Sequence, residues 1–190
     1  MESLSALRNE HSIVLRELYA LDRQLGWLES SGPGMTRKIL VLLLSGGEKL
    51  GRDLSFHFQK EEKTLYAVLE RRMAEKGETV AIMKQEHVRL SACLNKFNAE
   101  VARVLREHDR VKTWELTTTL QDLRSNLSDH ISREERVLFW LAELHLSKSD
   151  KNKVSSELAQ MRSQDPNLLH EDSRRPFLVD DTKALHAPDS

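Results

Sequence analysis

The stretch HFQKEEKTLY, residues 57–66, carries the pattern from which the fold and the chemistry of this chain are predicted. The same skeleton returns as HISREERVLF at residues 130–139. In both copies a His is followed four residues later by a Glu, then at once by a second Glu, and then by a Leu and an aromatic residue. On an α-helix, residues four apart lie on the same face, so each copy can aim an imidazole and a carboxylate at one point. The two pairs are His57 with Glu61 and His130 with Glu134.

Four long segments around these motifs have apolar residues at three- and four-residue spacing, which predicts helices and no sheet. The predicted helices run from about Ser3 to Trp27, Met35 to Met73, Thr79 to Glu107 and Thr113 to Leu146. The turns between them are short, so neighbouring helices are expected to be antiparallel. The sequence therefore predicts an all-α, up-down-up-down four-helix bundle. We expect the Gly46-Gly47 pair to loosen or bend the second helix.

The chain has 190 residues, which is enough for one domain with a core of its own. We assign residues 1–147 to the bundle and residues 148–190 to a polar C-terminal tail. This tail holds three of the four prolines and is expected to be partly disordered or loosely docked, apart from a short helix near Val154–Met161.

Composition excludes several classes of partner. The chain has 29 Lys and Arg against 30 Asp and Glu and contains no cluster of five basic residues, so we expect no nucleic-acid partner. Its longest apolar run, ILVLLL at residues 39–44, is far shorter than the roughly 20 residues of a membrane span. The N-terminus has no apolar signal segment, so we expect a cytoplasmic protein without membrane partners. A single cysteine, Cys93, excludes an internal disulfide and a Cys-based zinc site.

The level of the two motifs in the bundle can be tested from the sequence. Two residues at equal height in antiparallel neighbours have a turn near their midpoint. His11 and His87 are the inward-facing candidates on the first and third helices. Three sequence midpoints can be compared: that of His11 and the first motif, that of the first motif and His87, and that of His87 and the second motif. All three fall on or beside a predicted turn. The predicted metal ligands are therefore His11, His57, Glu61, His87, His130 and Glu134.

Simpler explanations exist for single residues. One His on an apolar helix face is more often a packed residue than a ligand, and we interpret Tyr19 and Tyr66 as packing residues rather than as groups acting beside a metal. Glu62 and Glu135 are interpreted as solvated charges, the alternative being hydrogen bonds to ligand imidazoles. These explanations do not account for the complete set, because burying four His and two Glu together without an ion would cost a large free energy. Imidazoles and carboxylates without thiolate suit a pair of ions of the iron or manganese type.

The ordered set of His11, His57xxxGlu61, His87 and His130xxxGlu134 resembles the haemerythrin-like (HHE cation-binding) family over about residues 4–146. The resemblance implies a non-haem di-iron centre in which the two glutamates bridge the ions and the four histidines are terminal ligands. Oxygen-carrying haemerythrins have one further His, four residues after the equivalent of His87, and here that position is Ser91. The pattern is therefore more similar to four-His, two-Glu members such as the repair-of-iron-centres proteins.

The resemblance implies a protein that binds or reacts with a small oxidant or gas (oxygen, peroxide or nitric oxide) in sensing, iron handling or stress response. One alternative is a redox enzyme that reduces peroxide or nitric oxide. Another is an interaction module with a structural metal, in which the C-terminal tail recruits a protein partner. The sequence leaves open whether the protein is an enzyme.

Overall fold

A computed structural model describes residues 2–30, 33–73, 77–107 and 113–164 of the chain. These residues are almost entirely helical and contain no strand, which confirms the predicted all-α fold class. The helices are α1 (Glu2–Ser30), α2 (Pro33–Glu61), α3 (Ala67–Arg72), α4 (Gly77–Glu107), α5 (Thr113–Arg133), α6 (Phe139–His145) and α7 (Lys148–Ser163). Two π-helical segments, π1 (Glu62–Tyr66) and π2 (Glu134–Leu138), join α2 to α3 and α5 to α6.

Four long helices build the bundle: α1, the continuous unit α2–π1–α3, α4, and the continuous unit α5–π2–α6. Each packs against the next, and the last returns to pack against α1. One apolar cluster joins the start of α1 to α3, the start of α4 and α6, which is the arrangement of antiparallel neighbours. None of the described helices combines the length and hydropathy that a membrane span requires.

Two apolar clusters fill the bundle core and leave a polar layer between them. The larger cluster extends from Val14 to Leu28 on α1 and includes the matching faces of α2, α4 and α5. The smaller cluster contains Leu4 and Leu7 of α1 and residues from π1 onward on the second helix. On α1, His11 lies between the residues of the two clusters. The predicted ligands therefore lie in the polar layer where the two clusters meet.

The Gly46-Gly47 pair does not break the second helix, because α2 runs through it without interruption. Whether the pair loosens or bends the helix stays a prediction. At Gly46 a Cβ atom would lie 2.8 Å from Leu21 Cδ2 on α1, and at Gly47 it would lie 2.0 Å from Asn98 Oδ1 on α4. These glycines allow the neighbouring helices to approach closely.

Helix α7 is longer than the helix predicted near Val154–Met161. It begins with a capping box in which the Ser147 side chain accepts from the Asp150 amide and the Asp150 carboxylate accepts from the Ser147 amide. Arg72 of α3 contacts the same carboxylate at 2.9 Å, and Val154 and Leu158 are buried in the smaller apolar cluster. The remainder of the predicted tail, residues 165–190, lies outside the described residues, and the division into bundle and tail stays a prediction.

Candidate metal centre

The structure brings all six predicted ligand residues together in the polar layer of the bundle. Each is 3% exposed or less, and the two carboxylates are fully buried. The i,i+4 spacing puts His57 and Glu61 on the inner face of α2, and the same spacing aligns His130 with Glu134 at the junction of α5 and π2. Helices α1 and α4 each contribute one histidine, His11 and His87.

One half of this layer is a group of four residues whose ligand atoms all lie within 4.8 Å of one another: His11, His57, Glu61 and Glu134. The Nε2 atom of His11 lies 3.1 Å from Glu134 Oε2 and 3.5 Å from Glu61 Oε1. The Nε2 atom of His57 lies 2.7 Å from the same Glu61 oxygen. We call this set the first group.

The other half is a group of three residues, Glu61, His87 and His130, which we call the second group. Glu61 Oε2 lies 3.3 Å from His87 Nε2, and His87 Nε2 lies 3.2 Å from His130 Nε2. Because the two Glu61 oxygens face different groups, this carboxylate connects the two halves of the layer.

The bonding of these atoms shows that the residues fit a metal ion. Five of the inward-facing atoms have no hydrogen-bond partner among the described residues, because their close contacts lack hydrogen-bond geometry. These atoms are His11 Nε2, His57 Nε2, both Glu61 oxygens and Glu134 Oε2. An unsatisfied buried polar group costs about 1–3 kcal/mol, and more if it is charged. Cations coordinated by these nitrogen and oxygen atoms would satisfy all five.

The outer nitrogen of every one of these histidines is bound by a further glutamate. The four contacts from Nδ1 to a carboxylate oxygen are His11 to Glu135 (2.8 Å), His57 to Glu10 (2.9 Å), His87 to Glu62 (2.7 Å) and His130 to Glu86 (3.0 Å). A carboxylate that accepts a hydrogen bond from Nδ1–H keeps the proton of the neutral imidazole on Nδ1 and leaves the Nε2 lone pair directed into the core. We call these four glutamates the outer carboxylates.

The outer carboxylates form a closed cycle around the bundle. Each is adjacent in sequence to a predicted ligand on its own helix and bonds to a histidine on a neighbouring helix. The interpretation of Glu62 and Glu135 as solvated charges was therefore wrong. Glu10 and Glu86 were missed, although a signal existed: a Glu directly precedes both His11 and His87.

Basic side chains contact three of the outer carboxylates. Lys60 lies 2.5 Å from Glu10 and is only 3% exposed, which is unusual for a lysine. Arg133 forms an ion pair with Glu86, and Arg8 lies 4.0 Å from Glu135. At Glu10, burial by itself raises the pKa, but His57 and Lys60 outweigh it and lower the pKa of this carboxylate.

Electrostatics in the metal-free layer favour bound protons on the first group. Burial by itself lowers the pKa of His11, but the close carboxylates of Glu134 and Glu61 outweigh it and raise the pKa to about 10. Burial by itself also lowers the pKa of His57, but the carboxylates of Glu61 and Glu10 outweigh it and raise the pKa to about 9. In the second group, burial and the neighbouring His87 lower the pKa of His130 to about 3.

Aromatic rings enclose the histidines. The Phe58 ring stacks on His87 with centroids 3.9 Å apart, and the Phe139 ring stacks on His11 at 5.9 Å. Tyr66 is fully buried, stacks on His87 at 5.6 Å and donates a hydrogen bond to Glu134 Oε1 at 3.0 Å. The interpretation of Tyr66 as a packing residue alone was wrong, whereas Tyr19 is 52% exposed.

A bundle of four helices with converging His and Glu side chains in its core defines a metal-binding helical protein. The family model described as the Hemerythrin HHE cation binding domain matches residues 3–142, and the chain belongs to this family. The comparison with curated proteins gave no match. The similarity to the repair-of-iron-centres members stays a prediction.

Proposed function

We propose that this protein holds a non-haem di-iron centre and uses it to bind or react with a small oxidant or gas. The ligands would be His11, His57, Glu61, His87, His130 and Glu134. The observation that carries this proposal is the convergence, in one layer of the core, of five buried nitrogen and oxygen atoms without a hydrogen-bond partner among the described residues. The two groups joined by Glu61 support two ions rather than one, and the absence of thiolate from the ligand set favours iron or manganese.

The chemistry that two such ions would supply when bound is reversible binding of, or electron transfer to, oxygen, peroxide or nitric oxide. The chain's own residues limit what can approach. The space beside His11, His57 and His130 is narrow and is lined by apolar side chains: Val14, Leu54, Phe58, Leu127 and Ile131. A ligand of a few atoms therefore suits this site better than an organic substrate.

Ser91 supports a sensing or redox role over reversible oxygen transport. It follows His87 by one turn of α4 and is partly buried. A hydroxyl is a weaker iron ligand than an imidazole, so the ion held by the second group would keep more positions open for an external ligand. We place the protein among those that serve oxygen or nitric-oxide sensing, iron handling or stress response.

Metal content and an ultraviolet-visible spectrum of anaerobically purified protein test the proposal, with the spectrum repeated after oxygen is added. We expect about two iron ions per chain and a new charge-transfer band that does not reverse when oxygen is removed. A band that returns to baseline would instead identify a reversible oxygen carrier. Anaerobic reconstitution that leaves no bound iron would contradict the proposal.

A redox enzyme acting on peroxide or nitric oxide is the second candidate, and Tyr66 favours it. Its hydroxyl holds a proton 3.0 Å from a Glu134 oxygen, inside the core and away from bulk water. Such a proton is available beside the proposed ligands when an oxidant is reduced. Multiple turnovers with peroxide or nitric oxide that are lost in His57→Ala would identify an enzyme, and a single stoichiometric reaction would identify a binder.

A further inference from the structure

The two halves of the metal centre are related by an internal repeat that includes their aromatic rings. Tyr66 and Phe139 occupy equivalent positions, nine residues after the His of each HxxxEE motif. The Tyr66 ring stacks on His87 with an interplanar angle of 18°, and the Phe139 ring stacks on His11 with an angle of 9°. Both rings are fully buried, so each half of the centre has an aromatic ring at the equivalent position, stacked on the histidine of the neighbouring helix.

One hydroxyl group distinguishes these two rings. Tyr66 Oη donates to Glu134 Oε1, whereas Phe139 has no atom that could donate to Glu61. Accordingly, both Glu61 oxygens are without a hydrogen-bond partner among the described residues, and of the two Glu134 oxygens only Oε2 is. The hydroxyl therefore breaks the symmetry of the repeat at the carboxylates.

The grouping of the ligand atoms has the same asymmetry. Glu61 belongs to both groups, but Glu134 belongs only to the first group, with His11 and His57. The Glu134 oxygen that Tyr66 engages is not the one that approaches His11. The second group thus has one carboxylate and two imidazoles, and the first group has two of each.

We propose that the Tyr66 hydroxyl makes the two metal positions unequal by restraining one oxygen of Glu134, so that the first group fills first and the second group binds its ion more weakly. The inference rests on the proposed two-ion function. Tyr66 is a positioning residue here, because it acts through Glu134. For Glu134 to serve the second position as well, Oε1 has to weaken or exchange its bond to the phenol.

Removal of the hydroxyl should therefore tighten the second binding step and leave the first nearly unchanged. A hydrogen bond to a charged group contributes enough free energy to change a dissociation constant by about tenfold or more. We expect the second dissociation constant of Tyr66→Phe to fall by about tenfold, which brings the two steps closer together.

Stepwise anaerobic titration of the metal-free full-length protein tests this, with Fe²⁺ and with Co²⁺, whose visible absorption reports each step. The matched control is Tyr19→Phe, since Tyr19 and Tyr66 are the two tyrosines of the chain and Tyr19 is exposed. Circular dichroism of each variant checks that the bundle is retained. We expect two resolved steps in the wild type and in Tyr19→Phe, and a smaller separation in Tyr66→Phe.

The Tyr19→Phe protein also offers a direct view of the hydrogen bond, because Tyr66 is then its sole tyrosine. With isotope-labelled tyrosine, the infrared difference spectrum should show little change in the phenol band during the first equivalent of metal. A clear shift should follow during the second equivalent, as Glu134 Oε1 changes partner. A phenol band that shifts fully during the first equivalent would overturn the proposed filling order.

An unchanged separation of the two steps in Tyr66→Phe, or a weaker second step, would overturn the inference while leaving the di-iron proposal intact. A wild-type protein that binds no metal would instead contradict the proposed function itself. The titration therefore separates these two failures.

Discussion

Glu10 is the chain neighbour of His11, yet its carboxylate accepts a hydrogen bond at 2.9 Å from His57, on the adjacent helix. The same crossing occurs at each of the other three histidines. The outer carboxylates thereby tie every helix of the bundle to the next, and they hold the imidazoles with Nε2 directed into the core. The same contacts therefore orient the four imidazoles and link neighbouring helices.

The first prediction concerns this cycle. Glu10→Gln keeps the size of the side chain but removes the charge that orients the His57 imidazole. We expect a loss of about 10- to 100-fold in metal affinity, as is typical when the partner of a ligand histidine is removed. Competition with a chelator measures the affinity. Glu78→Gln, at an exposed position of α4, is the control, and an equal effect in both variants would contradict an orienting role for Glu10.

The second prediction concerns Lys60, which is buried against Glu10 and has its ammonium 4.8 Å from the centre of the Phe56 ring. Lys60→Met retains the apolar stem but leaves Glu10 without its cation. We expect the free energy of unfolding of the metal-free protein to fall by about 1–3 kcal/mol. Urea denaturation measures the change. Lys63→Met changes an exposed lysine on the same helix and should shift the free energy by less than about 0.5 kcal/mol.

The third prediction concerns protons displaced by metal. In the metal-free protein the pKa values of His11 and His57 are raised to about 10 and about 9, so both imidazoles are protonated at neutral pH. Metal binding requires their neutral forms, so loading should release about two protons from these residues near neutral pH. The apparent affinity should therefore rise with pH through the neutral range and level off above the pKa of His11.

Isothermal titration in two buffers with different ionisation enthalpies counts the released protons. If His11 and His57 are protonated, the observed binding enthalpy should differ between the buffers in proportion to at least about two protons. Part of a third comes from Glu134, because burial and the neighbouring Glu61 raise the pKa of this carboxyl to about 7. Equal enthalpies in both buffers would mean that these imidazoles are already neutral in the metal-free protein.

The fourth prediction compares two glycines of α2. A Cβ at Gly47 would lie 2.0 Å from Asn98 Oδ1 and 3.1 Å from Asn98 Cγ, whereas at Gly51 its nearest neighbour would be Leu94 Cδ2 at 3.7 Å. Gly51→Ala should stabilise the protein by about 0.5–1 kcal/mol, because Ala is the better helix former. Gly47→Ala should destabilise it by about 1–3 kcal/mol, because the new methyl overpacks the contact between α2 and α4. Thermal unfolding of both variants measures the difference, and similar stabilisation by both would show that Asn98 moves aside without cost.

Much of the fold followed from local patterns. Apolar spacing predicted the four long helices, and the short turns predicted their antiparallel order, which the two core clusters confirm. The six ligand candidates also followed from local information, namely two i,i+4 pairs and the level of His11 and His87. The structure brings these six side chains together, and their role as ligands stays a prediction.

Contacts between helices could not be derived in the same way. Glu62, Glu135 and Tyr66 stand close to predicted ligands in the sequence, but a rotation of each helix by a fraction of a turn decides whether such a side chain reaches a neighbour or the solvent. Each motif also continues into a π-helical segment, π1 from Glu62 and π2 from Glu134, and this changes the direction of the side chains relative to a regular α-helix. No signal in the apolar periodicity predicted them.

The sequence by itself determined which residues lie on one helix face and at one level, because helical geometry relates residues three or four positions apart regardless of the rest of the fold. Only the tertiary structure decided that Glu10 accepts a hydrogen bond from His57 and that Tyr66 donates one to Glu134, because these contacts depend on how the packed helices are rotated against one another. Residues 47 and 68 positions apart meet there, and no local rule connects them.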